Sequence, residues 1–460
     1  MEATAAHARA PATPLRAAGL LLRWPRHEPL AALVSGGDGG AQNAWTILAR
    51  PRAATTIDGA LEGDDAVRAL ARALDAVPRP ARGARRAGGV PPFDGGLVVA
   101  LGYGLGACLE PRARDGARVR DGAQPHAVIL DCDDAWCLEH ATGALHAVGS
   151  PPALLPEDEA AASAWSVEDL RADESDAAYA AHVARTVEFI RAGDAFQANV
   201  ARRFSARFTG CARGFAAEAI ARNRAWFGGY IEFPAGGGAK IAAEDAWRNA
   251  VRGGPQAGAL VSMSPELFLR VGADGSCVTR PIKGTRPAEV CASELARSEK
   301  DAAELAMIVD LMRNDLGRVA ELGSVRVTEG RTLETHRTVH HGVAEIRAEL
   351  REGTGWLDLL RATFPPGSVT GAPKVRAMQI IDALEEHPRG FYCGAIGFIA
   401  RSGHAALNVA IRTAQLSAPD AQGARRATYH AGCGIVADSD PASEVAETHA
   451  KTRAFAQLVR

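Results

Sequence analysis

The sequence lacks any apolar run near the ~18 to 20 residues that a membrane-crossing helix needs. Its best stretch, 97–108, is interrupted by Gly102, Gly104 and Gly106. A net charge is missing too: 52 Lys+Arg against 54 Asp+Glu leave −2 over 460 residues. So balanced a chain has no long-range attraction for nucleic acid or an anionic bilayer, which puts a small-molecule role ahead of both. The eight cysteines contain no CxxC pair and are too scattered for a disulfide scaffold, a usage that fits a reducing compartment. The N-terminus carries Glu2 and only a short apolar run, 17–22, closed by Arg23. That is no secretory signal, and a soluble cytoplasmic protein is expected.

What is present is ordinary for a globular enzyme. Hydrophobic residues make up 47% and charged residues 23%, and the length allows one large domain or two to three small ones. No internal repeat is visible. The clearest break in composition is 149–163, where Pro151, Pro152 and Pro156 stand beside Glu157, Asp158 and Glu159. It suggests an N-terminal region over 1–150, a linker over 151–175 and a larger domain over 176–460.

The larger region opens with a helical stripe of Tyr179, Val183, Val187 and Ile190, closed by Gly193-Asp194. The period then becomes two. Phe196, Ala198, Val200, Phe204, Ala206 and Phe208 alternate with polar residues, so Gln197 and Asn199 look out from one side of a strand. Further helices are expected from about Ser298 to Gly317, after Gly371-Ala372-Pro373, and from Asp440, an N-cap followed by Pro441. Strand-like runs cover 391–400, 405–416 and 427–436, with Arg401-Ser402-Gly403-His404 as a hairpin turn. Without clean βα alternation, the fold class is α+β rather than a doubly wound sheet.

Several constellations carry chemistry. On the last helix Glu444, Glu447, Thr448 and Lys451 share one face. Alone that reads as a solvated face, but two carboxylates a turn apart can also orient Mg²⁺, with Glu304 as a third. Lys283, in Arg280-Pro281-Ile282-Lys283-Gly284-Thr285-Arg286-Pro287, is a loop lysine or, if desolvated, a nucleophile. The Gly/Pro-rich loop 364–374 opens a helix and suits an anion, yet it lacks the P-loop order. Gly102-Tyr103-Gly104-Leu105-Gly106 is no dinucleotide fingerprint, because its third glycine is mis-spaced; it reads as a turn with no helix after it. Ala431-Gly432-Cys433-Gly434 reads as a strand whose glycines admit a ligand, not as a nucleophilic cysteine.

Taken together, these blocks resemble the chorismate-utilising enzymes, whose branches include anthranilate, aminodeoxychorismate, isochorismate and salicylate synthases. The resemblance runs from about residue 178 to 456. It rests on Gly193-Asp194-Ala195-Phe196-Gln197-Ala198-Asn199, Ser264-Pro265-Glu266-Leu267-Phe268, the Lys283 run, Asp310-Leu311-Met312-Arg313-Asn314-Asp315, His341, Gly371-Ala372-Pro373-Lys374, Ile411-Arg412-Thr413 and Asp438-Ser439-Asp440-Pro441. In this family a lysine stands at position 197 in members that add water and a glutamine in those that use ammonia. Before Gly284-Thr285, anthranilate synthases have alanine and aminodeoxychorismate synthases lysine. Gln197 and Lys283 therefore point to the aminodeoxychorismate synthase component I branch.

The resemblance implies an antiparallel β-sandwich with helices outside and the active site between the sheets. It implies that Lys283 attacks chorismate, Glu266 is the general acid and His341 an active-site histidine, with His340 a bystander. Mg²⁺ is expected on Glu304, Glu447 and Glu444. Substrate contacts are expected from Gln197, Gly284, Thr285, Thr370, Tyr392, Arg412, the backbone of Gly432, Cys433 and Gly434, and Lys451. Ammonia would come from a separate glutamine amidotransferase subunit, since no GxCxG elbow is present. Three departures stand out: Gly342-Val343-Ala344 after His341, Asn223-Arg224-Ala225-Trp226-Phe227 before an insertion over 234–256, and Leu21-Leu22-Arg23-Trp24 in place of Leu-Leu-Glu-Ser. The last argues against a tryptophan site.

Overall fold

The computed structural model describes residues 14–36, 44–78, 90–113, 124–157, 159–160, 164–234, 257–287, 289–335 and 339–459. The expected insertion over 234–256 lies outside them, apart from Pro234. Every strand pairing among the described residues is antiparallel, and helices pack against the sheet faces, so the α+β class holds. No described helix is long and apolar enough to cross a membrane.

Strand Gly96–Leu101 shows how the layers are built. All six of its residues are buried. Leu97, Val99 and Leu101 face a core shared with Leu269, Val271, Ile308, Leu360 and Leu407. Val98 and Ala100 point the other way, into a core with Ile231, Leu260, Ile396 and Phe398. A strand covered on both faces reads as a continuous apolar run because neither phase of its pleat meets water. It pairs with Ala127–Glu139 on one side and with Ala395–Ala400 on the other. Likewise Ala31–Val34 pairs with Phe227–Pro234. Ladders thus join residues before 150 to residues after 176.

The elements around the candidate site form where local chemistry demands. Helix Asp176–Arg191 starts at Ser175, whose side chain accepts from Ala178 N. Helix Glu299–Gly317 is capped in the same way by Ser298, and Pro441–Ala456 by Asp440 accepting from Ser443 N. Strand Gln197–Gly210 forms where the period-two run predicts a strand, but both phases of its first six residues are buried. It pairs through eleven residues with Arg425–Ile435.

Three expectations need correction. A five-residue helix, Leu105–Leu109, does follow the Gly102–Gly106 run, because Tyr103 and Leu105 are buried and the chain winds up to cover them. The run over 405–416 is two strands, Ala405–Val409 and Thr413–Leu416, broken at Arg412, whose φ of 49° no strand accommodates. The run from 391 becomes a strand only at Ala395, since Cys393 has φ 62°. The hairpin turn at 401–404 closes as expected, with Ala400 N donating to His404 O. Trp24 is fully enclosed in a core with Phe208 and Phe215, and its indole N–H donates to Pro29 O.

Candidate active site

The site is assembled at the start of strand Gln197–Gly210, where the polar phase of the strand turns inward. Gln197 is 1% exposed, and neither atom of its amide has a partner among the described residues. Opposite it, Gly434 pairs with Asn199. A Cβ on Gly434 would collide with Gln197 Nε2 and stand 3.4 Å from Lys283 Nζ. Only glycine leaves room for these two side chains to meet over the backbone. Lys283 lies on strand Ile282–Pro287, and the next residue, Gly284, has φ 79° and sits against Leu295 and Asp301 of the helical layer. The sequence reading of Lys283 as a surface loop lysine is therefore set aside in favour of the inward one.

Burial sets the protonation states here. It pushes Glu266, on the connection into strand Leu267–Val271, up to about 7, against the opposing pull of Ser368, Lys283, the Ile282 N–H and Arg412. Its Oε1 is buried with no partner among the described residues. Lys283 is held below the ordinary lysine range by burial, reinforced by Lys451, while Glu304, Glu266 and Glu447 resist. Burial thus shifts the acid toward its protonated form and the amine toward its free form.

Carboxylates face this pair from two helices. Glu304 lies on Glu299–Gly317 and is held above the usual range by burial, with Asp301 and Glu444 adding to the shift and Lys283 and Lys300 opposing it. Glu444, buried, accepts from Ser439 Oγ at 2.8 Å. Glu447 keeps 49% side-chain exposure and meets Lys451 Nζ at 2.7 Å. Burial would raise Glu447, but Lys451 outweighs it and the net shift is downward. Ligand atoms of Cys433, Glu444 and Glu447 lie within 4.8 Å of one another. Burial keeps the Cys433 thiol protonated, and its Sγ donates to Glu444 O. What remains to bind a cation is a set of hard oxygen donors, which fits Mg²⁺ rather than a thiophilic metal.

The remaining expected residues divide. Thr285 Oγ1 and His341 Nδ1 are hydrogen-bonded at 2.8 Å across paired strands. Lys451 also donates to Gly432 O at 2.8 Å. Arg412 is close enough to act on Glu266. His340 is tied to Thr335 Oγ1 and Val290 O. Thr370 is fully buried, and its hydroxyl lies within hydrogen-bonding distance of Pro366 O and Gly367 O, so it shapes the Gly/Pro-rich loop. The Tyr392 ring stacks on His430 at 5.2 Å and lies under Arg389, with Cys393 beside it.

One functional neighbour escaped the sequence. Arg202, its side chain fully enclosed, donates to Thr448 Oγ1 from Nε at 3.0 Å and Nη2 at 2.8 Å and to Asp176 from Nη1. Its guanidinium lies over Tyr179 and Phe204. Thr448 stands between Glu444 and Lys451, so Arg202 fixes the turn that carries the carboxylates. The signal was present: Arg202 falls on the apolar phase of its strand, where a charge needs buried partners.

The chain matches known proteins over most of its length. Residues 37–457 match the family described as chorismate binding enzyme. The chain is 37% identical over 376 residues to aminodeoxychorismate synthase component 1 of Klebsiella aerogenes, covering 78% of this chain and 76% of that protein. It is 34% identical to anthranilate synthase component 1 of Streptomyces coelicolor, covering 81% and 74%. The crystal structure of anthranilate synthase component I from Streptococcus pneumoniae superposes with a TM-score of 0.71 at 26% identity, over 90% of this chain and 92% of that one. The chain is an enzyme and belongs to the chorismate-binding family.

Proposed function

We propose that this enzyme aminates chorismate at C4 to give 4-amino-4-deoxychorismate. The observation that carries the reading is Lys283 Nζ set beside the unpartnered Gln197 amide on the bare face of Gly434, with the buried Glu266 carboxyl held up to about 7 nearby. The Lys283 amine attacks C2, both double bonds of the ring diene shift, and the C4–O bond breaks as Glu266 protonates the departing hydroxyl, which leaves as water. Ammonia then forms a bond to C4. The two double bonds shift back, the C2–N bond to Lys283 breaks to restore the amine, and the new C4 ammonium returns a proton to Glu266. Two allylic displacements replace one difficult substitution at C4.

Glu304, Glu444 and Glu447 would hold Mg²⁺, which supplies a positive charge for the ring carboxylate when bound. Lys451 and Arg412 add fixed positive charge for the doubly anionic substrate. Gln197, with amide atoms left over for a ligand, orients the incoming ammonia. The ammonia is supplied by a separate glutamine amidotransferase subunit, and the product serves 4-aminobenzoate formation.

The deciding experiment is product analysis after incubating the pure chain with chorismate, Mg²⁺ and ammonium at near-neutral pH. 4-Amino-4-deoxychorismate is expected, and Lys283→Ala should stop its formation while leaving the fold intact. Anthranilate would transfer the reading to the other ammonia-using branch, to which the chain is also similar. Isochorismate or salicylate would mean that water, not ammonia, is the nucleophile beside Gln197.

A further inference from the structure

We infer that the face around Phe196 is where the ammonia-supplying subunit docks. The inference rests on the ammonia reading above. Phe196 is 71% exposed, yet its backbone is firmly placed: its N–H donates to Ala372 O at 2.8 Å, and its neighbours Ala195 and Gln197 are 5% and 1% exposed. A single exposed ring is unremarkable on a protein surface. This one does not stand alone. Pro373, next to the Ala372 carbonyl that it bonds, is exposed as well. On the flank, the ring of Phe189 carries the guanidinium of Arg185 at 4.6 Å and that of Arg376 at 5.5 Å. Arg376 also bonds Asp194, two residues before Phe196. Aromatic rings bordered by arginine are the composition that protein interfaces concentrate at their centres.

The occupant follows from what lies immediately behind the ring. Phe196 is joined directly to Gln197, whose unpartnered amide faces Lys283. Ammonia released into water is diluted and protonated, and ammonium is no nucleophile. A subunit that generates ammonia for this site must therefore seat where the route to Gln197 is short. Phe196 lies in the bend just before the strand that begins at Gln197, and its ring is exposed while Gln197 beside it is enclosed. The two arginines are already shared with Glu188 and Asp194, so the patch offers cation-backed aromatic surface rather than free charge. The complementary partner face is apolar at its centre.

The test uses the full chain and the purified glutamine amidotransferase subunit of the same organism. Complex formation is measured by sedimentation, and chorismate amination is measured with glutamine and, separately, with ammonium. Phe196→Glu should weaken the complex at least about tenfold, as removal of an interface anchor does. At limiting subunit concentration it should reduce the glutamine-dependent rate in proportion. The ammonium-dependent rate should stay within about twofold of wild type, the margin expected of a surface change away from bound substrate. Phe196→Ala should act in the same direction but less. Leu322, fully exposed in a turn remote in sequence from any site residue, provides the control Leu322→Glu, which should change neither rate.

Wild-type affinity in Phe196→Glu, or loss of the complex in Leu322→Glu instead, overturns the assignment. So does an ammonium-dependent rate that falls in step with the glutamine-dependent one, since the ring would then serve the site or the fold. If the wild-type chain aminates nothing from ammonium, the ammonia reading fails, and sedimentation still decides where the subunit binds.

Discussion

Glu266 and Lys283 are moved from their ordinary protonation states by one cause, the cost of charge in a dry cavity, and they move in opposite directions. The proposed chemistry needs Lys283 neutral and Glu266 protonated. Activity should rise with pH as Lys283 sheds its proton and fall above about 7 as Glu266 ionises. The two limbs belong to the coupled pair rather than to either residue alone. Glu266→Gln is neutral at every pH but has no proton to give. It should lower kcat by about 10²- to 10⁴-fold and remove the limb near 7. The same substitution has a stability signature. A carboxyl whose folded-state pKa is raised contributes stability that is intact below its unfolded pKa and is lost as pH rises through the window up to about 7. In Glu266→Gln that decline in melting temperature should flatten. A variant retaining the alkaline limb would remove Glu266 as the acid. At this scale the sequence singled out these residues but not their states. Lys283 alone reads as a loop lysine, and only the fold brings its amine over Gly434 beside the Gln197 amide.

The carboxylates depend on how the helix Pro441–Ala456 is seated. Its Asp440 cap and Pro441 were legible, and so was the shared face of Glu444, Glu447 and Lys451. The depth and rotation of the helix were not, because they are set by a residue about 240 positions earlier: Arg202 reaches Thr448 from the strand that carries Gln197. Replacing Arg202 with Met keeps the volume apolar and leaves the cap intact, but it frees Thr448. Metal ligands that lose an orienting neighbour typically lose about 10- to 100-fold in affinity. Arg202→Met and Thr448→Val should therefore both weaken Mg²⁺ binding, read by titration calorimetry, while Asp176→Asn, which touches Arg202 from its exposed side, should weaken it less. Wild-type affinity in Thr448→Val would reduce Arg202 to packing. The break at Arg412 was hidden for a related reason. Its φ of 49° is imposed by the strands it joins, and Met263 N donates to its carbonyl from across the sheet. Periodicity along 405–416 carries no trace of that partner.

At the scale of the whole molecule, the composition break at 149–163 and the hydrogen-bonded ladders divide the chain differently. The segment expected as a linker, 151–175, contains strand Trp165–Ala172, which pairs with Gln197–Gly210. Before it, Gly96–Leu101 supplies a six-residue ladder to Ala395–Ala400 and sends side chains into two cores whose other members come from beyond residue 176. Proline and acid density mark where a chain is exposed, not where its packing stops. If the two regions share cores, neither can melt while the other stays folded, and the full chain should show one calorimetric transition. A fragment covering 176–460 would leave Ala395–Ala400 as an exposed apolar edge, the kind of surface that pairs with other chains. It should aggregate, or show no cooperative transition. Two resolved transitions in the full chain, or a fragment that melts cooperatively and still binds Mg²⁺, would instead establish 176–460 as a self-contained catalytic unit, with the ladder from Gly96–Leu101 as an attachment to it.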